Sequence, residues 1–309
     1  MTKPTPCILM AGIATALFLS GCDKKEYYSF EELDNKNILE YIEKNNLNVS
    51  QYKETDLFYQ VLEEGTGNPI DYKNSYPVVY TVKSLDGKYS SGDTMSFNNR
   101  YTDYFGYFPF GSGAAGSPTV ERTGDFKEVI REVLKKTNGK IRIIVPSRLM
   151  YGRNGDSRVG IPPNASLDYV VTVHDNFEDF ENDWVIPNMV KRAGLSLDDL
   201  TKTEDGIYYK IISEGSGDPI AADSTVTTKF VLKRPDGSTI QQLDDYKAKV
   251  SDNITGWQNM MILLRKGGKI RFFMPSTVAY GRTGSTDATG NYVIPPYSSL
   301  DYEVEVKDE

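Results

Sequence analysis

Two α+β domains in tandem, each a twisted antiparallel β-sheet wrapped around one short α-helix, are what this sequence predicts. Three observations carry that prediction. An ordered set of landmarks occurs twice. Runs of β-branched and aromatic residues are punctuated by Asp-Gly turns. One short segment in each copy has helical spacing. Residues 57–70 align with residues 207–220 without a gap, at an offset of 150. Asp86-Gly87 and Asp236-Gly237 keep that offset. Lys140-Ile141-Arg142 then answers Lys269-Ile270-Arg271, Tyr151-Gly152 answers Tyr280-Gly281, and Ile161-Pro162-Pro163 answers Ile294-Pro295-Pro296. Leu167-Asp168-Tyr169 and Leu300-Asp301-Tyr302 close the series. Repetition in fixed order marks duplicated structural units. The offset falls from 150 to 129 after the Asp-Gly pairs, so the first copy carries roughly twenty extra residues there.

Taken in order, the chain opens with Lys3, an apolar run over residues 8–19, and Leu19-Ser20-Gly21-Cys22. The run is short for a membrane span, and small residues before a cysteine suit signal cleavage. This start resembles a bacterial lipobox. It implies a signal peptide at residues 1–21 and a Cys22 that carries the lipid, palmitate among its acyl chains. The protein would then be anchored in the outer membrane of a cell envelope, periplasmic or surface-exposed. Residues 22–56 form a charged tether and a short helix over 34–46, with Ile38, Leu39 and Ile42 on one side. Domain one is expected at 57–174, and an acidic, irregular connection at 175–206. Domain two is expected at 207–309.

Residues 76–82 and 225–232 read as strands from their β-branched and aromatic content, and the Asp-Gly turns that follow suit hairpins. Phe126, Val129, Ile130, Val133 and Leu134 have the spacing of an amphipathic helix, as do Ile254, Trp257, Met261 and Leu264. Asn138-Gly139 and Gly267-Gly268 are the expected helix stops. Glu178 to Asp183 reads as a solvated acidic face, and His174 as a surface residue.

Composition removes several classes of function. The 309 residues hold 35 Lys plus Arg against 43 Asp plus Glu, a net charge of −8. That is no footprint for nucleic acid. One histidine, His174, is too few for a histidine-built metal site or a Ser-His-Asp triad. The two cysteines, Cys7 and Cys22, both sit in the N-terminal segment, so no disulfide scaffold is available.

The order of strand, Asp-Gly turn, helix, Pro-ended strand, Tyr-Gly, Ile-Pro-Pro and Leu-Asp-Tyr is similar to that of the FKBP-type peptidyl-prolyl cis-trans isomerases. With the lipobox, the whole resembles tandem FKBP-type lipoproteins of the Bacteroidetes. The resemblance implies rotation of Xaa-Pro bonds during folding of exported proteins, with prolyl peptides as partners. It implies no cofactor and no metal. It implies for domain two an active pocket of Phe230, Ile254, Trp257, Tyr280, Ile294 and Tyr302. In domain one it implies a substrate-binding pocket of Tyr80, Val129, Ile130, Tyr151, Ile161 and Tyr169. The chemistry suits the composition, because twisting the amide crosses a barrier of ~18–20 kcal/mol set by resonance and needs no nucleophile. The sequence departs from the family where a Phe-Asp pair follows the turn: Ser90-Ser91 and Ile240-Gln241 stand there. Val133 replaces the pocket-floor tryptophan in domain one. These losses keep open the alternative of a non-catalytic binding or scaffold lipoprotein.

The insertion in domain one, residues 97–118, carries Phe97, Tyr101, Tyr104, Phe105, Tyr107, Phe108 and Phe110 before a Gly-rich stretch. So much aromatic area marks either a partner surface or a flap folded over its own domain. Tyr107-Phe108-Pro109 is itself an aromatic-proline sequence, so the flap is also a candidate plug for the pocket of domain one.

Overall fold

The computed structural model describes residues 28–108 and 126–308. The signal peptide, Cys22 and residues 109–118 of the insertion lie outside the described residues. Two antiparallel sheets of the same topology carry the fold. In the first the order is Ser50–Gln51, Phe58–Glu63, Gly139–Val145, Leu167–Val173, Val78–Ser84 and Ser90–Ser91, with Arg100–Tyr101 also paired to Val78–Ser84. In the second it is Thr201–Lys202, Tyr208–Ser213, Lys269–Met274, Leu300–Val306, Thr225–Lys233 and Thr239–Lys249. Both sheets recruit residues upstream of 57 and 207: Gln51 pairs with Phe58, and Lys202 with Tyr208. The fold is the α+β class the repeats predict. Among the described residues, no helix is long and apolar enough to cross a membrane.

The repeated glycines are dictated by close approach. A Cβ on Gly65 would lie 2.2 Å from the Lys136 carbonyl oxygen, and one on Gly215 would lie 2.4 Å from that of Lys266. The turn after the first long strand therefore packs directly on the loop that follows the helix. The helices end earlier than their sequence stops suggest. The first runs Phe126–Val129 and widens into a π-helical turn, Ile130–Leu134, ended by Lys135 at φ 65° rather than by Asn138-Gly139. The second spans Thr255–Met261, and Gly267 sits in a turn well beyond it.

The two segments expected to be tether and connection are counterparts. A helix at Phe30–Lys44 begins at Ser29, whose side chain and that of Glu32 form a reciprocal capping box. Its Asp34 is 2% exposed and accepts from the hydroxyls of Ser147 (2.9 Å) and Ser166 (3.0 Å). The connection is not irregular. It is helical over Phe177–Asp179, Phe180–Val185 and Ile186–Arg192. Its Glu181 is 1% exposed and accepts from the hydroxyls of Ser276 (2.6 Å) and Ser299 (2.7 Å). The acidic run is thus not wholly solvated, because its central carboxylate is a docking group.

The connecting helix wedges between the sheets. Phe180, Val185, Ile186, Met189 and Val190 form one core with Val79 and Met95 of domain one and Phe273 of domain two. This explains the consecutive apolar residues in Val78-Val79 and Phe272-Phe273. Val78 and Phe272 face their domain cores, while Val79 and Phe273 face the wedge. Arg192 adds a polar clasp, donating to both carboxylate oxygens of Asp93 (2.9 and 3.1 Å) and to the Asp236 carbonyl (2.7 Å).

His174 belongs to this junction and is not a surface residue. Its ring lies 4.6 Å from that of Phe180 and 5.8 Å from that of Trp184, and its Nε2 is buried without a partner. Burial, aided by Arg100 and Lys140, pulls its pKa down to about 4.

Two predictions follow from this packing. Removing either docking carboxylate leaves two buried hydroxyls unpaired, so Asp34→Ala and Glu181→Ala should each lose about 2–4 kcal/mol. Urea unfolding reads this directly, and a loss below about 0.5 kcal/mol would show the docks to be idle. His174 binds its proton less readily when folded than when unfolded. Its contribution is therefore complete above pH 6.5 and drains away as the pH falls toward about 4. Relative to His174→Phe, the native chain should lose about 2–3 kcal/mol between pH 7 and pH 4. A gap between the two that does not change with pH would refute the assignment.

Candidate functional site

The domain-two residues that the sequence nominates converge on one apolar cup. Trp257, Phe230, Ile294 and Tyr302 are buried in the domain core, and Ile254 and Tyr280 are half-buried against it. Each position has a local cause. Phe230 points inward by alternation along Thr225–Lys233, between buried Thr228 and Leu232. Trp257 lies in the first turn of its helix, next to Gly256. A Cβ there would come within 2.7 Å of Met274 Sδ, so glycine lets the helix settle deeply on the sheet. Tyr302 stacks on Phe272 at 5.3 Å and tilts toward Phe230 at 5.9 Å. Burial and the neighbouring Tyr280 hydroxyl push the Tyr302 hydroxyl far above its ordinary range, and burial also raises Tyr280. Both tyrosines are thus neutral hydrogen-bond donors at any physiological pH.

One wall residue was missed. The Tyr246 ring lies 5.5 Å from that of Phe230 and 6.5 Å from that of Trp257, each edge to face. Its hydroxyl donates to Asn253 Oδ1 at 2.9 Å. Along Thr239–Lys249 the residues Leu243, Tyr246 and Ala248 turn inward, and the register slip between Leu243 and Tyr246 breaks the alternation that would have signalled it.

Polar character enters the cup through the backbone. Ile254 is the N-cap of Thr255–Met261, in extended conformation, and its N–H has no partner among the described residues. Gln258 Nε2 fixes that corner by donating to the carbonyls of Asn253 (2.5 Å) and Ser251 (3.2 Å). A free N–H at a helix start beside an aromatic cup is a ready donor for a carbonyl. Gln241, at the position of the missing carboxylate, is exposed on its strand. Among the described residues, no group of three or more His, Cys, Asp or Glu side chains is placed to hold a metal ion.

Domain one gathers the corresponding residues differently. Val129, Ile130, Ile161 and Tyr169 are buried, and Tyr80 and Tyr151 are half-buried against them. Tyr80 meets Tyr169 at 6.0 Å, as Phe230 meets Tyr302. Burial raises the Tyr80 hydroxyl to about 12, and that hydroxyl donates to the Asn98 carbonyl at 2.8 Å. Tyr101 pairs with Val78 in the sheet, the register that Tyr246 has with Thr228. The surplus chain therefore begins mainly after Tyr101. Its described part, through Phe108, is folded back on its own domain: Tyr101, Phe105 and Phe108 are buried, and of its described aromatics only Tyr104 is well exposed, at 51%. The Phe108 ring sits 5.6 Å from Tyr80, 5.1 Å from Tyr101 and 5.8 Å from Phe126. Phe126 closes the circle by meeting Tyr169 at 5.0 Å. The helix also starts earlier. The chain is already helical at Phe126, four residues before Ile130, so the Ile130 N–H is committed to the helix ladder.

The sheet and cup of domain two coincide with a match to a known family. Residues 217–307 match the FKBP-type peptidyl-prolyl cis-trans isomerase family. The chain is 34% identical over 114 residues to a probable FKBP-type peptidyl-prolyl cis-trans isomerase of Haemophilus influenzae, covering 36% of this chain and 45% of that protein. It is 31% identical over 110 residues to an inactive peptidyl-prolyl cis-trans isomerase of Rattus norvegicus, covering 33% of this chain and 32% of that protein. These matches span less than half of either relative. Among solved structures, a peptidyl-prolyl cis-trans isomerase of Pseudomonas syringae is similar at 24% identity and a TM-score of 0.36, over 43% of this chain and 96% of that one.

Proposed function

We propose that domain two binds Xaa-Pro segments of exported proteins and rotates their prolyl bonds, on a protein held at the cell envelope by acylated Cys22. The observation that carries the first part is the unpartnered Ile254 N–H beside the cup of Phe230, Tyr246, Trp257 and Tyr302. The proline ring fills the cup, with Trp257 as its floor. The carbonyl preceding the proline accepts from the Ile254 N–H. Taking the amide out of water favours the twisted state, whose resonance and charge separation are reduced, over the planar one. Tyr280, neutral and half-buried at the rim, is the second donor that holds the chain while the bond turns.

A second reading is supported by Gln241. Without a carboxylate at that position, the site retains binding and loses much of the electrostatic assistance to rotation. The match to an inactive relative agrees with that reading.

Two-dimensional exchange NMR on an Ala-Phe-Pro-Phe peptide separates the readings, using the chain from Asp23 onward. Accelerated cis–trans exchange that falls at least tenfold in Trp257→Leu is the expected result. Peptide shifts without acceleration would leave a prolyl-binding module, and neither effect would remove both readings. Support for the anchor comes from the apolar run and Leu19-Ser20-Gly21-Cys22. The full chain, expressed in a Gram-negative host, should incorporate labelled palmitate and sediment with membranes, and Cys22→Ser should do neither. Labelling or sedimentation that survives the substitution would refute the anchor.

A further inference from the structure

We propose that the prolyl pocket of domain one is occupied by its own chain, with Phe108 standing as a ligand in cis, so that each molecule presents one working site, in domain two. The inference rests on reading both cups as FKBP-type pockets, and its test separates the two ideas. The walls of the first cup are intact. Tyr80, Tyr101 and Tyr169 correspond in register or offset to Phe230, Tyr246 and Tyr302. In domain two Phe230 and Tyr246 stand beside Trp257, with Tyr302 next to Phe230. In domain one the floor position holds the much smaller Val133, and two rings that domain two lacks, Phe108 and Phe126, are packed among the walls. Phe108 is 2% exposed although it belongs to an insertion, so the insertion has delivered an aromatic side chain into the domain interior.

Three further contacts hold it there. Phe105 packs on Phe108 at 6.0 Å and is itself fully buried. The Tyr101 hydroxyl donates to the Tyr104 carbonyl at 2.7 Å. The backbone of Phe105 and Gly106 donates to Asn74 and Tyr72 at 2.8 and 2.9 Å. A tethered group of this kind has an effective concentration on the order of mM or above. A weakly binding peptide from solution does not compete with it.

The test is a methyl NMR titration of the chain from Asp23 onward with an Ala-Phe-Pro-Phe peptide carried to mM concentration. Isoleucine δ1 methyls lie in both cups, Ile161 in domain one and Ile294 in domain two. In the native chain the peptide should shift Ile294 and leave Ile161 in place. In Phe108→Ala it should shift Ile161 as well. That second site should be at least tenfold weaker than the first, because the Ile130 N–H is spent in its helix. Ile141 and Ile143 of the same sheet report whether domain one stays folded. If the alanine variant melts it, Phe108→Leu must show the same gain at reduced size. Movement of Ile161 in the native chain, or none in the folded variant, overturns the proposal. Failure of Ile294 to move refutes the reading of domain two and leaves the gain at Ile161 to decide this one.

Discussion

One buried carboxylate in each repeat, docked on two serines, fixes the geometry on which everything else hangs. Asp34 and Glu181 come from helices that precede their sheets, and each accepts hydrogen bonds from two serines. The serines are not arbitrary. Ser147 and Ser276 follow the proline that ends a central strand, and Ser166 and Ser299 stand just before the Leu-Asp-Tyr strand. Between each pair of serines runs the loop that carries the rim tyrosine and the Ile-Pro-Pro wall. One acid thus pins both ends of the loop that shapes the pocket mouth. Hydrogen bonds to a charged acceptor are worth about 1.5–3 kcal/mol each, and they exceed ordinary ones because the alternative is a buried charge left bare.

In domain two that acid has a wider reach. Burial raises the pKa of Glu181. The arrangement is held by its serine partners and by the positive charge of Arg100 from domain one. Arg100 is itself nearly enclosed, with its guanidinium over Phe97, Phe180 and Trp184 and its Nε donating to the Thr94 carbonyl. Burial draws its pKa down to about 10, so it remains charged. The stretch from Met95 to Arg100 therefore serves the junction, and the surplus chain that begins after Tyr101 packs Phe105 and Phe108 into the core of domain one. Adjacent stretches of chain thus join the two domains and pack one of them.

Much of this was legible in the sequence, and the rest was hidden for physical reasons. The duplicated landmarks gave the two sheets and their order, because strand pairing follows alternation and Asp-Gly turns. Phe230, Trp257, Ile294 and Tyr302 could be placed because each occupies a short motif with fixed spacing. Glu181 and His174 could not be placed. An acid within Glu178 to Asp183 looks like its neighbours, and only the three-dimensional position of two serines about a hundred residues away selects it. Tyr246 was hidden by a β-bulge. The register slips between Thr228 and Phe230 relative to their partners, so counting along the strand misplaces the wall. The counterpart helix at Phe177–Arg192 was obscured because its apolar residues face two sheets at once and leave no single stripe.

The difference between the two pockets comes down to where a helix begins. In domain two the chain arrives at Asn253 and Ile254 in extended conformation, tied by Gln258, and turns helical only at Thr255. The first N–H groups of a helix have no partner inside it, so Ile254 offers its own outward. In domain one the chain is already helical at Phe126, before the corresponding residue. The same isoleucine is then a helix-interior residue, and its N–H is turned along the axis. This earlier helix, by more than one turn, also brings Phe126 among the walls of the cup, over a floor position held by the smaller Val133. Phe108 fills the volume that remains. A cup that has lost both its donor and its floor gains more from being packed than from staying open. A buried void is costly, and a filled one stiffens the sheet that Val79 presents to the connecting helix. The same duplication has thus produced one cup that keeps an unpartnered backbone donor at its edge and one that has become core.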